Sequence, residues 1–121
     1  MSDLAEMIYG YGACVRWIGV FDDDGCSVEV AGLDFEPSAW DEIVSDVTDF
    51  YADNRDDLAE YVANVGGWAQ AGHDLYLTRC GHGAGFWDRG AGEAGDRLTT
   101  AARVYGSVLY YVNADMQICQ N

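Results

Sequence analysis

The sequence predicts an α+β fold organised as one domain over residues 1–121, and three observations predict it. Apolar residues recur at three- and four-residue spacing from 39 to 65. Runs rich in β-branched and aromatic residues stand on either side of that stretch, punctuated by turn residues. Half of the 121 residues are apolar, enough for a packed core at a length typical of one domain.

Taken in order, Cys14–Phe21 and Cys26–Val30 read as two strands joined at the "DDDG" turn, where Asp24-Gly25 supplies positive φ angles. Its three aspartates lack the alternating ligands and distal Glu of a calcium loop. The helix over 39–65 has Pro37 and Ser38 as start signals and Gly66-Gly67 as its stop. "DLYLTR" then reads as a strand over Leu75–Arg79, followed by a glycine-rich turn over 81–85 and "GFWDR" as a return strand. A second, shorter helix is expected over 92–105, with Leu98 and Ala102 inward and Gly106 as its stop. "SVLYYVNADMQIC" closes as a hairpin turning near Asn113–Asp115. The expected assembly lays the 39–65 helix, with Phe50, Leu58 and Val62 inward, on an antiparallel sheet of Cys14–Phe21, Leu75–Arg79 and Val108–Val112.

Charge is the unusual property. There are 21 acidic residues, 15 of them Asp, against six basic residues that are all Arg, for a net charge of −15. Residues 1–66 hold 16 of the acids and two of the Arg, so the field belongs to the first half. Such a field excludes direct binding of nucleic acid or an anionic membrane and favours a basic partner. Cys14, Cys26, Cys80 and Cys119 form no CxxC pair, the first residues carry acids where a signal peptide carries Lys or Arg, and no apolar run approaches ~20 residues. A cytoplasmic protein with reduced thiols is expected.

Projected at ~100° per residue, Glu42, Asp46, Asp49, Asp53, Asp56, Asp57 and Glu60 fall on one face of the 39–65 helix, beside the apolar sector. Like charges three or four residues apart cost roughly 0.2–0.5 kcal/mol per pair. A face of one sign is therefore made at the expense of helix stability. One account is a solvated surface suited to high salt. The other is imitation of nucleic acid: carboxylates at this spacing act as phosphate surrogates toward the Arg and Lys of a basic groove, with Asp22, Asp23 and Asp24 as a second patch. On this account, replacing the acids by amides leaves the fold intact and abolishes binding.

The stretch "GHDLYLTRCGHGAGFWDRG", residues 72 to 90, concentrates residues that do chemistry. His73, Asp74, Cys80, His82 and Asp88 offer ligands for a small metal-binding protein or metal-dependent hydrolase. No fourth ligand at zinc-like spacing and no second catalytic pair completes that set. The preferred reading is structural, with both histidines satisfied by hydrogen bonds and no catalytic residues, metal or cofactor.

"AGHDLYLTRCGHGAGFWDRG", then "GDRLTTAARVYG" and "LYYVNADMQI", resemble a family of small bacteriophage and mobile-element proteins across roughly residues 71 to 118. This chain departs from the pattern at Cys80, where Asn is expected, and at Asn113-Ala114-Asp115, where a Gly-Asp-Asp-Gly-like turn is expected. The resemblance implies a phage or mobile-element origin and supplies no catalytic residues. Together with the charge it sets the functional expectation. That expectation is an acidic inhibitor of host defence, acting in the host cytoplasm as a DNA mimic against a basic nucleic-acid-binding protein such as a CRISPR effector or a restriction enzyme. The oligomeric state stays open.

Overall fold

A computed structural model describes residues 2–121. The architecture is α+β with helices dominant: α1 (Asp3–Ile18), α2 (Pro37–Asp53), α3 (Arg55–Val65), α4 (Trp68–Arg79), a short 3₁₀ helix (Phe86–Asp88), α5 (Gly92–Arg103), and an antiparallel pair, β1 (Tyr110–Val112) and β2 (Ile118–Gln120). One cluster of buried residues draws on all five helices and the hairpin.

The Cys14–Phe21 run is a correction, because its first five residues belong to α1 rather than to a strand. Ser2 caps the helix by accepting a hydrogen bond from the Ala5 amide at 3.1 Å, and Asp3 and Glu6 lie in the first turn, where they suit the helix dipole. Met7, Tyr11, Cys14 and Val15 are fully buried at helical spacing. The glycines that look like helix breakers are packing devices. A Cβ on Gly10 would lie 1.9 Å from the Ala69 carbonyl oxygen, and one on Gly72 would lie 1.9 Å from that of Met7. Glycine costs ~1 kcal/mol against alanine inside a helix, and here that cost lets the backbones of α1 and α4 touch.

The "DDDG" turn forms, with Gly25 at φ +79° and the Gly25 amide donating to the Asp22 carbonyl. The strands expected around it shrink to single bridges, Phe21 to Ser27 and Val20 to Tyr110.

The helix expected over 39–65 divides at Asn54. Backbone there turns to φ −129°, ψ 28°, and both the amide and the side chain of Asn54 donate to the Phe50 carbonyl, closing α2. The Asn54 carbonyl then accepts from Leu58 and starts α3. Phe50 and Leu58 are fully buried as expected, and Val62 packs partly buried against the same core.

Leu75–Arg79 is likewise a correction, since it forms the last turns of α4. This helix touches α1, α3, α5 and the 3₁₀ turn, and every residue from Asp74 to Arg79 is buried. A stretch covered on all sides, as Asp74–Arg79 is, has no polar stripe, so the 3.6-residue signal vanishes and a short alternating run passes for a strand. "GFWDR" is the 3₁₀ turn and not a return strand. The helix expected over 92–105 is α5, and Gly106 at φ +74° ends it. The closing hairpin forms with Tyr110 opposite Gln120 and Val112 opposite Ile118, its turn held by the Asn113 side chain, which accepts from the amides of Asp115 and Gln117. Of the three expected strands, only the last contributes to the sheet.

Candidate partner-binding face and the network beneath it

The 72–90 segment builds two buried charge hubs on α4. Asp74, with no exposed surface, accepts from the Tyr61 hydroxyl at 2.5 Å, from Gln70 Nε2 at 2.9 Å and from an Arg89 guanidinium nitrogen at 3.0 Å. Burial, and then the hydrogen bond to Asp74, pushes the Tyr61 phenol far above its ordinary range. Thr78 donates to the Asp74 carbonyl and accepts from the Phe86 amide. A Cβ on Gly85 would lie 2.4 Å from that same hydroxyl, so the glycine lets the turn close. Asp88 accepts from the Gly85 amide at 2.9 Å. Phe86, thus fixed, packs against Phe50 and Tyr61 with ring centres 5.9 and 5.0 Å away.

Arg79 is the second hub. Its guanidinium donates to the Tyr11 hydroxyl at 2.8 Å, to Asp46 at 2.9 Å and to the carbonyls of Tyr105 and Gly106. One side chain thereby ties α1, α2, α4 and the turn that follows α5 together.

The candidate metal ligands are not brought together. His73 on α4 and Cys80 at its C-terminal cap, seven residues apart, are separated by ~10.5 Å of helix rise. Asp74 is occupied by Arg89, and Asp88 caps its own turn. No group of three or more His, Cys, Asp or Glu gathers in metal-binding geometry among the described residues. All four cysteines are free thiols. One structural expectation is overturned: His73 is not satisfied by hydrogen bonds. Its Nδ1 is buried without a partner, 4.0 Å from Asp74, and its ring stacks on Trp17 at 5.4 Å. Burial lowers the pKa of His73, Asp74 opposes that, and Arg89 adds to it, so the net direction is down. His82 is half-buried, with its amide bonded to the Leu77 carbonyl.

The acidic face survives in altered form. On α2, Glu42, Asp46, Asp49 and Asp53 keep three- and four-residue spacing, and on α3 so do Asp56, Asp57 and Glu60. The break at Asn54 makes these two helical faces rather than one. Two of the seven acids are committed to the fold. Asp46 holds buried Arg79, and Asp57 receives Arg97 in a forked pair at 2.8 to 3.0 Å. Replacing all the acids by amides also removes the carboxylate that pairs with buried Arg79, so a cost in stability is expected. The other five, Glu42, Asp49, Asp53, Asp56 and Glu60, are exposed and make no ion pair among the described residues. Tyr105 lies among several of these carboxylates: burial first, then Asp49, Asp53 and Asp46, raises its pKa.

The second patch is separate and partly structural. Asp22 accepts from the amides of Asp24 and Cys26, each at 2.9 Å, while Asp23 and Asp24 are exposed. Asp22 and Asp23 border a cleft against Leu109–Tyr111, and Glu42 borders another along the hairpin, with Tyr111 and Asn121 lining both. The pairings of Arg79 with Asp46 and of Arg97 with Asp57 span 33 and 40 residues, and no local pattern announces them.

Comparison of the chain with known protein families, with curated proteins and with solved structures finds no match.

Proposed function

We propose that the exposed carboxylates of α2 and α3 dock a basic nucleic-acid-binding protein in place of its nucleic acid, as an acidic inhibitor of host defence of the kind bacteriophages encode. The observation that carries this reading is the set of Glu42, Asp49, Asp53, Asp56 and Glu60, exposed on two consecutive helices and without ion-pair partners among the described residues. Arg79, Arg89 and Arg97 meet Asp46, Asp74 and Asp57 rather than these five acids, and there is no Lys. Like-charge repulsion in the strip is left in place at a few tenths of a kcal/mol per pair. A target with a DNA- or RNA-binding groove offers the Arg and Lys that relieve it. A CRISPR effector or a restriction enzyme in the host cytoplasm has such a groove.

Capture from nuclease-treated host lysate tests the proposal, with the intact protein immobilised beside a variant carrying Glu42→Gln, Asp49→Asn, Asp53→Asn, Asp56→Asn and Glu60→Gln. Asp46 and Asp57 are kept, so that the fold is untouched. A basic partner retained in stoichiometric amount, displaced by duplex DNA and lost from the variant is expected. A protein that stays folded at low salt and retains nothing basic refutes the docking face and leaves a solvated acidic surface.

A further inference from the structure

We propose that the groove between α1 and residues 34–41 binds an extended, proline-rich segment of a protein partner with Arg or Lys at one end. The groove lies apart from the acidic strip, whose residues do not line it. It consists of two adjoining cavities of about 280 and 510 Å³ that share Arg16, Phe35 and Trp40. Tyr9 and Gly12 extend the first, and Asp34, Pro37 and Asp41 extend the second.

Gly12 makes the floor possible, because a Cβ there would meet Trp40 at 3.0 Å. Tyr9 is 66% exposed, an aromatic ring left on the surface at the rim. The only buried side-chain nitrogen or oxygen without a partner among the described residues is His73 Nδ1. Among the described residues Trp40 Nε1 and the Tyr9 hydroxyl make no hydrogen bond, and Trp40 Nε1 is not a buried orphan, so both are available as donors.

The ligand class follows from matching these groups. A polyproline II segment has no internal hydrogen bonds, presents its carbonyls outward, and packs its rings on aromatic side chains. Tyr9, Phe35 and Trp40 supply the aromatic surface, and the free hydroxyl and indole N–H supply the donors. Arg16 is pinned with its guanidinium 4.9 Å over the Phe35 ring and one nitrogen on the Leu33 carbonyl, which leaves further N–H groups for a peptide carbonyl. A helical ligand satisfies its own carbonyls and would leave these donors unmatched. Charge sets the polarity of the segment: Asp34 and Asp41 are exposed at one end, and neither forms an ion pair among the described residues. A basic residue is drawn to that end.

Tryptophan fluorescence and calorimetric titration of the full chain test this with synthetic peptides of about ten residues. The set comprises a proline-rich peptide with Arg at either terminus, the same peptides with Glu for Arg, the same with Ala for Pro, and oligolysine. Saturable binding of one Arg-bearing peptide is expected, weakened about tenfold or more by the Glu or Ala exchanges and by Tyr9→Ala. Tyr9 is exposed, so that variant keeps the fold, and Trp40→Phe keeps the packing while removing the indole donor. Asp49→Asn, Asp53→Asn and Asp56→Asn together leave this binding unchanged, which separates it from docking on the acidic strip. Absence of saturable binding at millimolar peptide, equal affinity for oligolysine, or indifference to Tyr9→Ala overturns the proposal.

Discussion

Replacing Asp46 by Asn removes the one carboxylate among the described residues that meets Arg79, whose side chain is 6% exposed, while Asp46 itself is 29% exposed. Stripping one partner from a buried ion pair costs ~3–5 kcal/mol because the remaining charge stays buried and uncompensated. Two features lower that figure here. Water reaches Asp46, and Arg79 keeps its bonds to Tyr11, Tyr105 and Gly106. A loss of about 2–3 kcal/mol is expected, equivalent to a fall in melting temperature of roughly 6–12 °C for a chain of this size. Asp49→Asn on the same helix is the control: it removes only like-charge repulsion and shifts stability by a few tenths of a kcal/mol, upward if at all. Urea unfolding followed by circular dichroism reads both variants. Combining Asp46→Asn with Arg79→Met closes a double-mutant cycle whose coupling isolates the pair. Should Asp46→Asn unfold within about 0.5 kcal/mol of Asp49→Asn, Arg79 is not the hub described and Asp46 belongs with the free acids.

Gly72→Ala raises helix propensity by ~1 kcal/mol, yet its Cβ would sit 1.9 Å from the Met7 carbonyl oxygen, and forcing α1 and α4 apart costs ~1–3 kcal/mol or more. Urea unfolding is expected to show net destabilisation, and a stabilised variant refutes the contact between the two helices. Burial, reinforced by Asp74 and Cys80, pushes the Cys14 thiol up to about 12. A thiol reagent at pH 8 is expected to label exposed Cys26 at once and Cys14 only after unfolding, and rapid labelling of Cys14 itself, located by mass spectrometry of the labelled peptides, contradicts the assignment. His73 has its folded-state pKa below the ordinary 6.5, so the unfolded chain takes up a proton first. Its contribution is complete above pH ~6.5 and is lost as pH falls from there through the depressed value, a loss that His73→Gln should remove in thermal melts compared at pH 7.5 and 5.5.

Wet faces made most elements legible in the sequence, and two helices escaped for different reasons. The acidic 37–65 region, α5 and the closing hairpin each carry a polar side, so periodicity and turn residues located them to within a few residues. Buried α4 carries none. Its "DLYLTR" run was indistinguishable from a strand because tertiary burial, not local amphipathicity, determines its state. In α1 the helical spacing of Met7, Tyr11 and Cys14 was present but masked by Gly10 and Gly12, whose purpose is close packing against partners far along the chain. The break at Asn54 had a signal, an Asn followed by Arg55 and two Asp, which suits the end of one helix and the start of another. For the acidic face, spacing identified the residues and nothing local showed which were engaged. That depended on Arg79 and Arg97 arriving from α4 and α5.

The allocation of arginine gives the docking reading a signature that a solvated surface does not share. Arg16 and Arg55 lie over the rings of Phe35 and Tyr51, at 4.9 and 5.2 Å, and Arg79, Arg89 and Arg97 are paired with Asp46, Asp74 and Asp57, so Glu42, Asp49, Asp53, Asp56 and Glu60 form no ion pair among the described residues. Asp46 sits within that strip yet pairs with Arg79, and burial of Ala39, Ile43, Val47 and Phe50 on the other side of α2 leaves Glu42, Asp49 and Asp53 exposed. Added salt acts differently on these two kinds of carboxylate. It screens the exposed repulsions and leaves the buried pair nearly untouched, so stability rises slightly with salt. Binding to a basic groove falls steeply over the same range, because steering and complementarity are screened together. Opposite salt responses of folding and binding in one preparation are expected of a docking face. A stability that rises with salt while no basic partner is held at any ionic strength describes a solvated surface and refutes the face as a site.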